Sequence, residues 1–409
     1  MHKPRVLYLC NLVSDELIQA RGLHRAPSVV AGRLIPTVLS CRRAGLAVWA
    51  ASLGRNRQQG TMRWSRAHLA RAGGIPLVYA AYWDCPVLTH LISLISLAVI
   101  VWRLRRRTQA TVYWNAAPHF VFALFAARWA RIRCILDLED GLREDVRGSL
   151  GGMQRVLLKL WDRNSSAAMV ANRGLLDQIQ TRPAYVYYGT APQVAVKREW
   201  RGRLQGLYSG YLSRISGADD LVAALEMLQT SAPEALERMK VIVTGWGEAA
   251  DRLKAASEER LRGVIEFRGL VTDGEYQRLL ESSHFGLSLK IPDQPLGQST
   301  FPSKVIEFAR CGLLVVSYRV SDVAEVVSEE GAVLLERAGV AELASALDWI
   351  AKFPTEAATR AEGGSKQVCT RLNPSRVAED LIQLWLGRPV KPLRRAESAI
   401  RYPVSAIKE

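Results

Sequence analysis

A strand, a polar loop and a helix near residue 300 carry side chains suited to binding a phosphate. Ser303 is an N-cap candidate for this predicted helix, Lys304 stands in its first turn, and Glu307 follows three residues later. The first N–H groups of a helix lack partners within it and form a positive dipole end, so they bind phosphate readily. A lysine there is unfavourable unless an anion compensates it. Glu307 lies on the same face and suits the hydroxyls of a ribose, although a solvated Lys–Glu pair is the alternative interpretation.

Two carboxylates follow another apolar strand, Cys134–Leu138. Glu139 and Asp140 stand at the end of this strand, where the ligand-binding loops of a parallel sheet lie. A carboxylate within hydrogen-bond reach of an acceptor hydroxyl can remove its proton. We predict Asp140 as this base, with Glu139 as the alternate. The competing interpretation is that one of them caps the following helix.

Further polar residues of the first half are candidates for contacting a second substrate. The predicted acceptor-binding residues are Arg21, His24, Arg25, Asn115 and His119. The arginines suit a diphosphate, Asn115 ends a strand, and the histidines are candidates for acid–base chemistry. For each histidine the competing interpretation is a surface residue or a residue at a helix start.

Short apolar strands alternate with helices along the chain, which predicts an α/β fold with parallel sheets covered on both faces. The alternation breaks over the polar stretch 189–203 and then restarts, so two Rossmann-like domains facing across a cleft are expected. The predicted parts are a first domain 1–190, a linker 191–205, a second domain 206–370, a C-terminal helix 371–387 and a basic, disordered tail 388–409.

The sequence PSKVIEFARCG of Pro302–Gly312 resembles the [P/S]-x-K-x-x-E-[FY]-x-x-x-G pattern in the nucleotide-sugar site of GT-B glycosyltransferases, families 1 and 4 above all. Three upstream stretches resemble the same family in the same order. Leu207–Leu212 is similar to its first donor-domain strand and glycine turn, and Val241–Gly247 to its strand followed by GxG. Val264–Leu270 is similar to the next strand. The resemblance covers roughly 207–325.

The resemblance implies a glycosyltransferase with an N-terminal acceptor lobe, a C-terminal nucleotide-sugar lobe and a C-terminal helix that packs toward the first lobe. The donor-binding residues it implies are Arg214, Gly245, Gly247, Ser303, Lys304 and Glu307. No metal ligands and no cofactor are implied, because the nucleotide-sugar is itself a substrate. Positive side chains and the helix N-terminus would stabilise the departing diphosphate.

The chain departs from the family pattern at two places. Ser299 occupies the position, eight residues before Glu307, where many retaining members carry an acid. Tyr211 and Ser216 stand near positions where members often have Arg and Lys, and the adjacent Arg214 can supply the charge. The first departure slightly favours inversion of the anomeric configuration of the transferred sugar, but the stereochemistry stays open.

The charge balance indicates a polyanionic partner, since 55 Lys and Arg against 39 Asp and Glu give a net charge of +16. The apolar run Val87–Trp102 is followed by four arginines, yet it is shorter than the roughly 20 residues that span a bilayer. We interpret it as a core helix whose basic end can meet anionic lipid. Six cysteines without metal-ligand spacing favour a reducing compartment.

These observations predict a cytoplasmic enzyme, peripheral on the inner face of the plasma membrane, that serves bacterial surface polysaccharide synthesis with a glycan or lipid-linked acceptor. Two other classes remain as alternatives. A bilobed sugar-nucleotide epimerase would use the same architecture. A nucleic-acid-binding protein would explain the charge alone, but the basic residues are spread along the chain without a recognisable module, so no nucleic-acid partner is expected.

Overall fold

The computed structural model describes residues 5–21, 23, 29–55, 64–83, 85, 88–142, 149–194, 196–292 and 300–388. The chain divides into two units, each with its own core. The first unit takes in the chain up to Thr190 and again from Pro374 onward, and the second unit is Ala191–Asn373. The border between them falls directly after Thr190, and the predicted tail lies almost wholly outside the described residues.

An eight-stranded sheet forms the centre of the first unit. The strands of this unit are β1 (Val6–Cys10), β2 (Val48–Ser52), β3 (Trp64–Ser65), β4 (His68–Ala72), β5 (Ile75–Tyr79), β6 (Tyr82–Trp83), β7 (Ala110–Trp114), β8 (Arg133–Leu138), β9 (Ala167–Val170) and β10 (Ala184–Val186). The order across the sheet is β10-β9-β8-β7-β1-β2-β5-β4, parallel except for β4, and β3 pairs with β6 separately. The inner strands are apolar and buried throughout, as a parallel sheet covered on both faces requires.

Helices cover this sheet. They are α1 (Asp15–Arg21), α2 (Val29–Arg43), α3 (Leu88–Leu104), α4 (Val121–Trp129) and α5 (Ser149–Asn164), with 3₁₀ helices at Pro118–Phe120 and Arg173–Gln178. The strand order reverses between β1 and β7, so the loops after these two strands flank a switch point, which is where open α/β sheets bind ligands.

The second unit contains a six-stranded, wholly parallel sheet. Its strands are β11 (Leu204–Tyr211), β12 (Met239–Trp246), β13 (Ile265–Gly269), β14 (Phe285–Ser288), β15 (Leu314–Tyr318) and β16 (Ala332–Leu335). Its helices are α6 (Ala218–Ser231), α7 (Pro233–Glu237), α8 (Ala250–Glu258), α9 (Asp273–Ser282), α10 (Lys304–Arg310), α11 (Val323–Val326), α12 (Val340–Lys352) and α13 (Pro354–Arg371). The sheet order β13-β12-β11-β14-β15-β16 places the switch point between β11 and β14.

The last described helix, α14 (Pro374–Leu386), belongs to the first unit. Val377, Leu381 and Leu384 recur at helical spacing and are buried, so one face of α14 joins the core. Trp385 is fully buried, contacts the Tyr8 ring edge-on at 6.2 Å and donates from Nε1 to the sulfur of Met169 at 3.0 Å. The helix therefore completes the core of the first unit.

Candidate functional site

The predicted donor-binding residues meet at the switch point of the second unit. Ser209 and Gly210 stand near the carboxyl end of β11, just before its last residue, Tyr211. Helix α10, which begins at Lys304, is the helix that follows β14. Since β11 and β14 are neighbours in the sheet, their carboxyl ends bring these residues to one edge. The Gly210 backbone passes close to Lys304: a Cβ built on Gly210 would lie 3.9 Å from Lys304 Cε.

Lys304 lies at the centre of a polar cluster with Glu307, Tyr276 and Ser209. Its Nζ donates to Glu307 Oε2 at 2.6 Å and to the Tyr276 hydroxyl at 2.8 Å. The Tyr276 hydroxyl in turn donates to Glu307 Oε2 at 3.0 Å and lies 3.1 Å from Ser209 Oγ. Both hydrogen bonds to the carboxylate fall on Oε2, so Oε1 is the oxygen that remains for a ligand.

The charge state of this cluster follows from its surroundings. Burial alone would lower the pKa of Lys304, but the Glu307 carboxylate and the Tyr276 hydroxyl raise it, so the ammonium group stays protonated at neutral pH. Burial raises the pKa of Tyr276 to about 12, so its hydroxyl remains a donor. With side chains 32% and 26% exposed, Lys304 and Glu307 form a pair that a ligand can reach.

Gly245 and Gly247 stand at the carboxyl end of β12, beside the end of β11. A Cβ on Gly245 would lie 1.9 Å from the carbonyl oxygen of Gly210, and one on Gly247 would lie 2.2 Å from that of Leu212. Both glycines also have positive φ, at 141° and 148°. Only glycine fits a backbone approach this close, so the two residues fix the shape of the loop beside the cluster.

Ser303 and Arg214 flank the cluster without taking part in its hydrogen bonds. Ser303 precedes α10 but has helical φ and ψ and makes no side-chain capping bond, so its predicted role as an N-cap is wrong. Arg214 is exposed in the turn after β11, where its backbone N–H donates to Glu248 Oε1 at 3.3 Å. Its exposed guanidinium therefore stands at the carboxyl edge of the sheet, beside the end of β11. Ser299 lies outside the described residues.

The predicted carboxylates of the first unit are held in place by Asn115. Its backbone adopts positive φ (60°) directly after β7, and its Oδ1 accepts from the backbone N–H of Glu139 at 2.7 Å and of Asp140 at 3.1 Å. Its Nδ2 donates to Asp140 Oδ2 at 3.3 Å. The amide therefore positions both carboxylates, and the predicted contact of Asn115 with an acceptor stays a prediction.

Glu139 and Asp140 differ in their surroundings. Glu139 Oε2 accepts from Trp114 Nε1 at 2.5 Å and lies 3.9 Å from the Arg33 guanidinium, whereas Asp140 is exposed. Arg33 also pairs with the fully buried Asp137 at 3.0 Å. Burial would lower the pKa of Arg33, but these carboxylates raise it, so Arg33 remains a cation that fixes Glu139.

Arg21 does not face a ligand, contrary to the prediction. It ends α1, is 3% exposed and donates to the backbone carbonyls of Leu53, Gly54 and Ala80 at 3.3, 2.9 and 2.8 Å. Those carbonyls follow β2 and β5 and would otherwise be buried without donors. His24 and Arg25 lie outside the described residues.

His119 belongs to a basic cluster that also contains Arg55 and His90. Arg55 Nη1 and His90 Nδ1 are 2.5 Å apart, and the Arg55 backbone is held by Asn11, the residue after β1, through bonds of 2.8 and 3.0 Å. Burial, together with the charges of Arg55 and His90, lowers the pKa of His119 to about 4. Arg55 and His119 follow β2 and β7 and so lie at the ligand-binding edge of this sheet.

The lowered pKa of His119 predicts a pH-dependent stability of the first unit. The unfolded chain takes up a proton near the ordinary pKa of 6.5, whereas the folded chain does so only near 4, so stability is lost as the pH falls between these values. At about 1.4 kcal/mol per pKa unit, the loss amounts to about 3–4 kcal/mol once the pH has fallen through the folded pKa. Urea unfolding across this range should show a shallower pH dependence in His119→Gln. An identical dependence in both proteins would contradict the assignment.

Tyr276 and Ser209 are the site residues that sequence reasoning missed. Tyr276 precedes the buried Leu279 and Leu280 of α9 by three and four residues, which places it on the inward face of this helix. That spacing signals burial, but nothing in it signals the contact with Lys304, which is 28 residues away.

Metal-ligand groups and membrane-spanning helices are absent from the described part of the chain. Within the described ranges, no three His, Cys, Asp or Glu side chains are grouped as metal ligands. No helix of the described chain is long and apolar enough to cross a membrane. All six cysteines are free, and all but Cys85 are buried, as expected of core thiols.

Comparison with known proteins places the fold. Residues 204–352 match the family model for glycosyl transferases group 1. No curated protein sequence matches the chain. Among solved structures, Alr3699/HepE of Anabaena in complex with UDP has a TM-score of 0.67 at 14% identity, with 93% of this chain and 98% of that chain covered.

Two further solved structures are similar to this chain over nearly its whole length. Sucrose-phosphate synthase of Thermosynechococcus elongatus has a TM-score of 0.62 at 15% identity, with 94% of this chain and 98% of that chain covered. The UDP-forming trehalose-phosphate synthase of Burkholderia xenovorans, in complex with glucose-6-phosphate, has a TM-score of 0.62 at 13% identity, with 93% and 99% covered. The predicted fold is thereby confirmed: the chain has the GT-B fold of glycosyltransferases, and the match to glycosyl transferases group 1 lies within its second unit.

Proposed function

We propose that the chain transfers a sugar from a nucleotide-sugar donor to a glycan or lipid-linked acceptor. The observation that carries this proposal is the Lys304–Glu307–Tyr276 cluster at the switch point of the second unit. The cluster lies within residues 204–352, which match the family model. The Anabaena protein of similar fold is solved with UDP-glucose as well as with UDP.

In the donor site, a cation and a carboxylate would bind different parts of the nucleotide-sugar. The Lys304 ammonium would bind the diphosphate and stabilise its negative charge as the glycosidic bond to the nucleotide breaks. Glu307 Oε1 would accept from the ribose hydroxyls while its Oε2 holds Lys304 and Tyr276 in place. Arg214, exposed after β11, would add a second positive charge. This division needs no metal ion to neutralise the leaving group.

The acceptor side rests on residues of the first unit. Asp140 is our choice for the base that removes the acceptor proton, since it is exposed, whereas Glu139 is engaged by Trp114 and Arg33. The cluster of Arg55, His90 and His119 would bind a phosphate of the acceptor, with the Arg55 guanidinium as the cation and the two imidazole rings as hydrogen-bond partners. An acceptor with a phosphate fits a lipid-linked glycan.

The place of the enzyme in the cell is part of the proposal. A net charge of +16 favours the anionic inner face of the plasma membrane over bulk cytosol. A lipid-linked acceptor at that surface is in keeping with bacterial surface polysaccharide synthesis. We take the nucleotide-sugar as the donor substrate and propose no cofactor.

A transfer assay tests the proposal. Nucleotide-sugars carrying a radiolabelled sugar would be incubated with the full-length protein and a membrane lipid extract. The expected result is label in the lipid or glycan fraction with release of an equal amount of nucleoside diphosphate. A changed sugar that stays attached to its nucleotide would identify an epimerase and overturn the proposal. Asp140→Asn is expected to abolish transfer while donor binding persists.

A further inference from the structure

Two helices of the first unit expose an apolar surface that the sugar-transfer chemistry does not use. Eight large side chains form it, and we call it the α3–α4 face. They are Leu88, Leu91, Ile95, Val99 and Trp102 of α3, and Phe122, Phe125 and Trp129 of α4. Each is between 39% and 84% exposed, with Trp129 the most exposed. Soluble proteins seldom expose so many large apolar side chains together unless the surface binds something.

The residues of the face form one continuous surface because the two helices lie side by side. The Trp102 and Trp129 rings, near the carboxyl ends of α3 and α4, contact edge-on with centroids 6.5 Å apart. At the other end, the charge of His90 in the first turn of α3 acts on His119, just before α4. The helices therefore run in the same direction. On each of them the exposed apolar residues recur every three or four positions, which keeps them on one side.

The charged residues on α3, on α4 and in the chain between them have a single sign. Between Cys85 and Leu136 the sequence contains seven arginines and no Asp or Glu. Arg103, Arg106, Arg107, Arg128 and Arg131 are all exposed, and they gather at the end marked by the two tryptophans. An apolar helix surface bordered by arginines and tryptophans is the composition of helices that lie in the interface of a membrane.

We propose that the α3–α4 face lies on an anionic lipid bilayer. The apolar side chains would enter the boundary between head groups and acyl chains, and the arginines would contact lipid phosphates. A second copy of the chain is a poorer occupant, because two such faces in contact would bring only positive charges together. The assignment goes beyond the donor site, and it stands whether or not the chain transfers sugar.

Vesicle sedimentation with the full-length protein tests the assignment. Phosphatidylcholine vesicles would be compared with vesicles that also contain phosphatidylglycerol. The apolar variant is Phe122→Ser, Phe125→Ser and Trp129→Ser together, and the charge variant is Arg106→Glu with Arg107→Glu. Matched controls are Leu69→Ser and Leu270→Ser, which are 62% and 65% exposed and belong to neither α3 nor α4.

We expect the wild type and both controls to sediment with the anionic vesicles and much less with phosphatidylcholine alone. The apolar variant should lose vesicle binding. The charge variant should bind at least tenfold more weakly, because each arginine contributes a factor of about five to the affinity for anionic vesicles. Retention of UDP-induced thermal stabilisation would show that the variants remain folded and would keep this result separate from the donor site. Equal binding by the wild type and the apolar variant would overturn the assignment. The assignment would also be overturned if light scattering showed a wild-type dimer that the apolar variant converts to a monomer. Loss of vesicle binding on deletion of residues 389–409 alone would overturn it as well.

Discussion

Replacement of Lys304 by alanine is expected to lower kcat/KM for sugar transfer by about 10²–10³-fold. The ammonium group is the cation that the structure places beside Glu307, at the edge where the phosphates would bind. Its loss removes a preorganised positive charge from the departing diphosphate, and this charge acts most strongly when the bond breaks. Steady-state kinetics with the cognate nucleotide-sugar would measure the effect.

A matched lysine serves as the control for Lys304. Lys254 of α8 also pairs with a glutamate on its own helix, Glu258, at 3.9 Å, but is largely exposed and lies outside the cluster. Lys254→Ala should leave kcat/KM within twofold or so of the wild type, as expected of a surface pair. Equal losses in the two variants, or no loss in Lys304→Ala, would exclude Lys304 from the donor site.

Gly245→Ala is expected to destabilise the second unit by about 3–5 kcal/mol. Its Cβ would lie 1.9 Å from the carbonyl oxygen of Gly210, and the residue would keep a φ of 141°. The backbones of Gly245 and Gly210 cannot move apart, because they are paired at the ends of β12 and β11. The Tm of the unit should fall by roughly 10 °C. Calorimetry or thermal unfolding monitored by circular dichroism would measure it.

Gly263 separates the effect of close contact from that of backbone conformation. It also has positive φ (80°), but a Cβ there meets nothing within 4 Å. Gly263→Ala should therefore cost only about 1–2 kcal/mol. If Gly245→Ala were no more harmful than Gly263→Ala, the close approach of β11 and β12 at Gly210 would be wrong.

The Lys304–Glu307 contact is the part of the candidate site that local sequence predicts well. Lys304 and Glu307 lie one helical turn apart, so their contact follows from the helix alone. The fold follows from the alternation of strands and helices, since each strand is a short buried apolar run. Tyr276 could not be predicted in the same way, because its contact with Lys304 depends on how α9 and α10 pack on the sheet.

Tertiary packing also explains where the sequence misleads. An arginine such as Arg21 can bind a ligand, but here its guanidinium donates hydrogen bonds to three buried backbone carbonyls. Helix α13 contains Gly363 and Gly364, which disfavour a helix by propensity. In the structure Gly364 lets the helix approach the backbone of Gly331, where a Cβ would lie 2.1 Å from the carbonyl oxygen. Such requirements arise only between distant segments.

The central claim is that the second unit binds a nucleotide-sugar through Lys304 and Glu307. Titration calorimetry with a panel of nucleoside diphosphates and nucleotide-sugars, on the wild type and on Glu307→Ala, tests it most directly. We predict selective binding of one nucleotide by the wild type and its loss in the variant, with the variant still folded. Failure of a well-folded wild type to bind any member of the panel would contradict the donor site and leave only the fold.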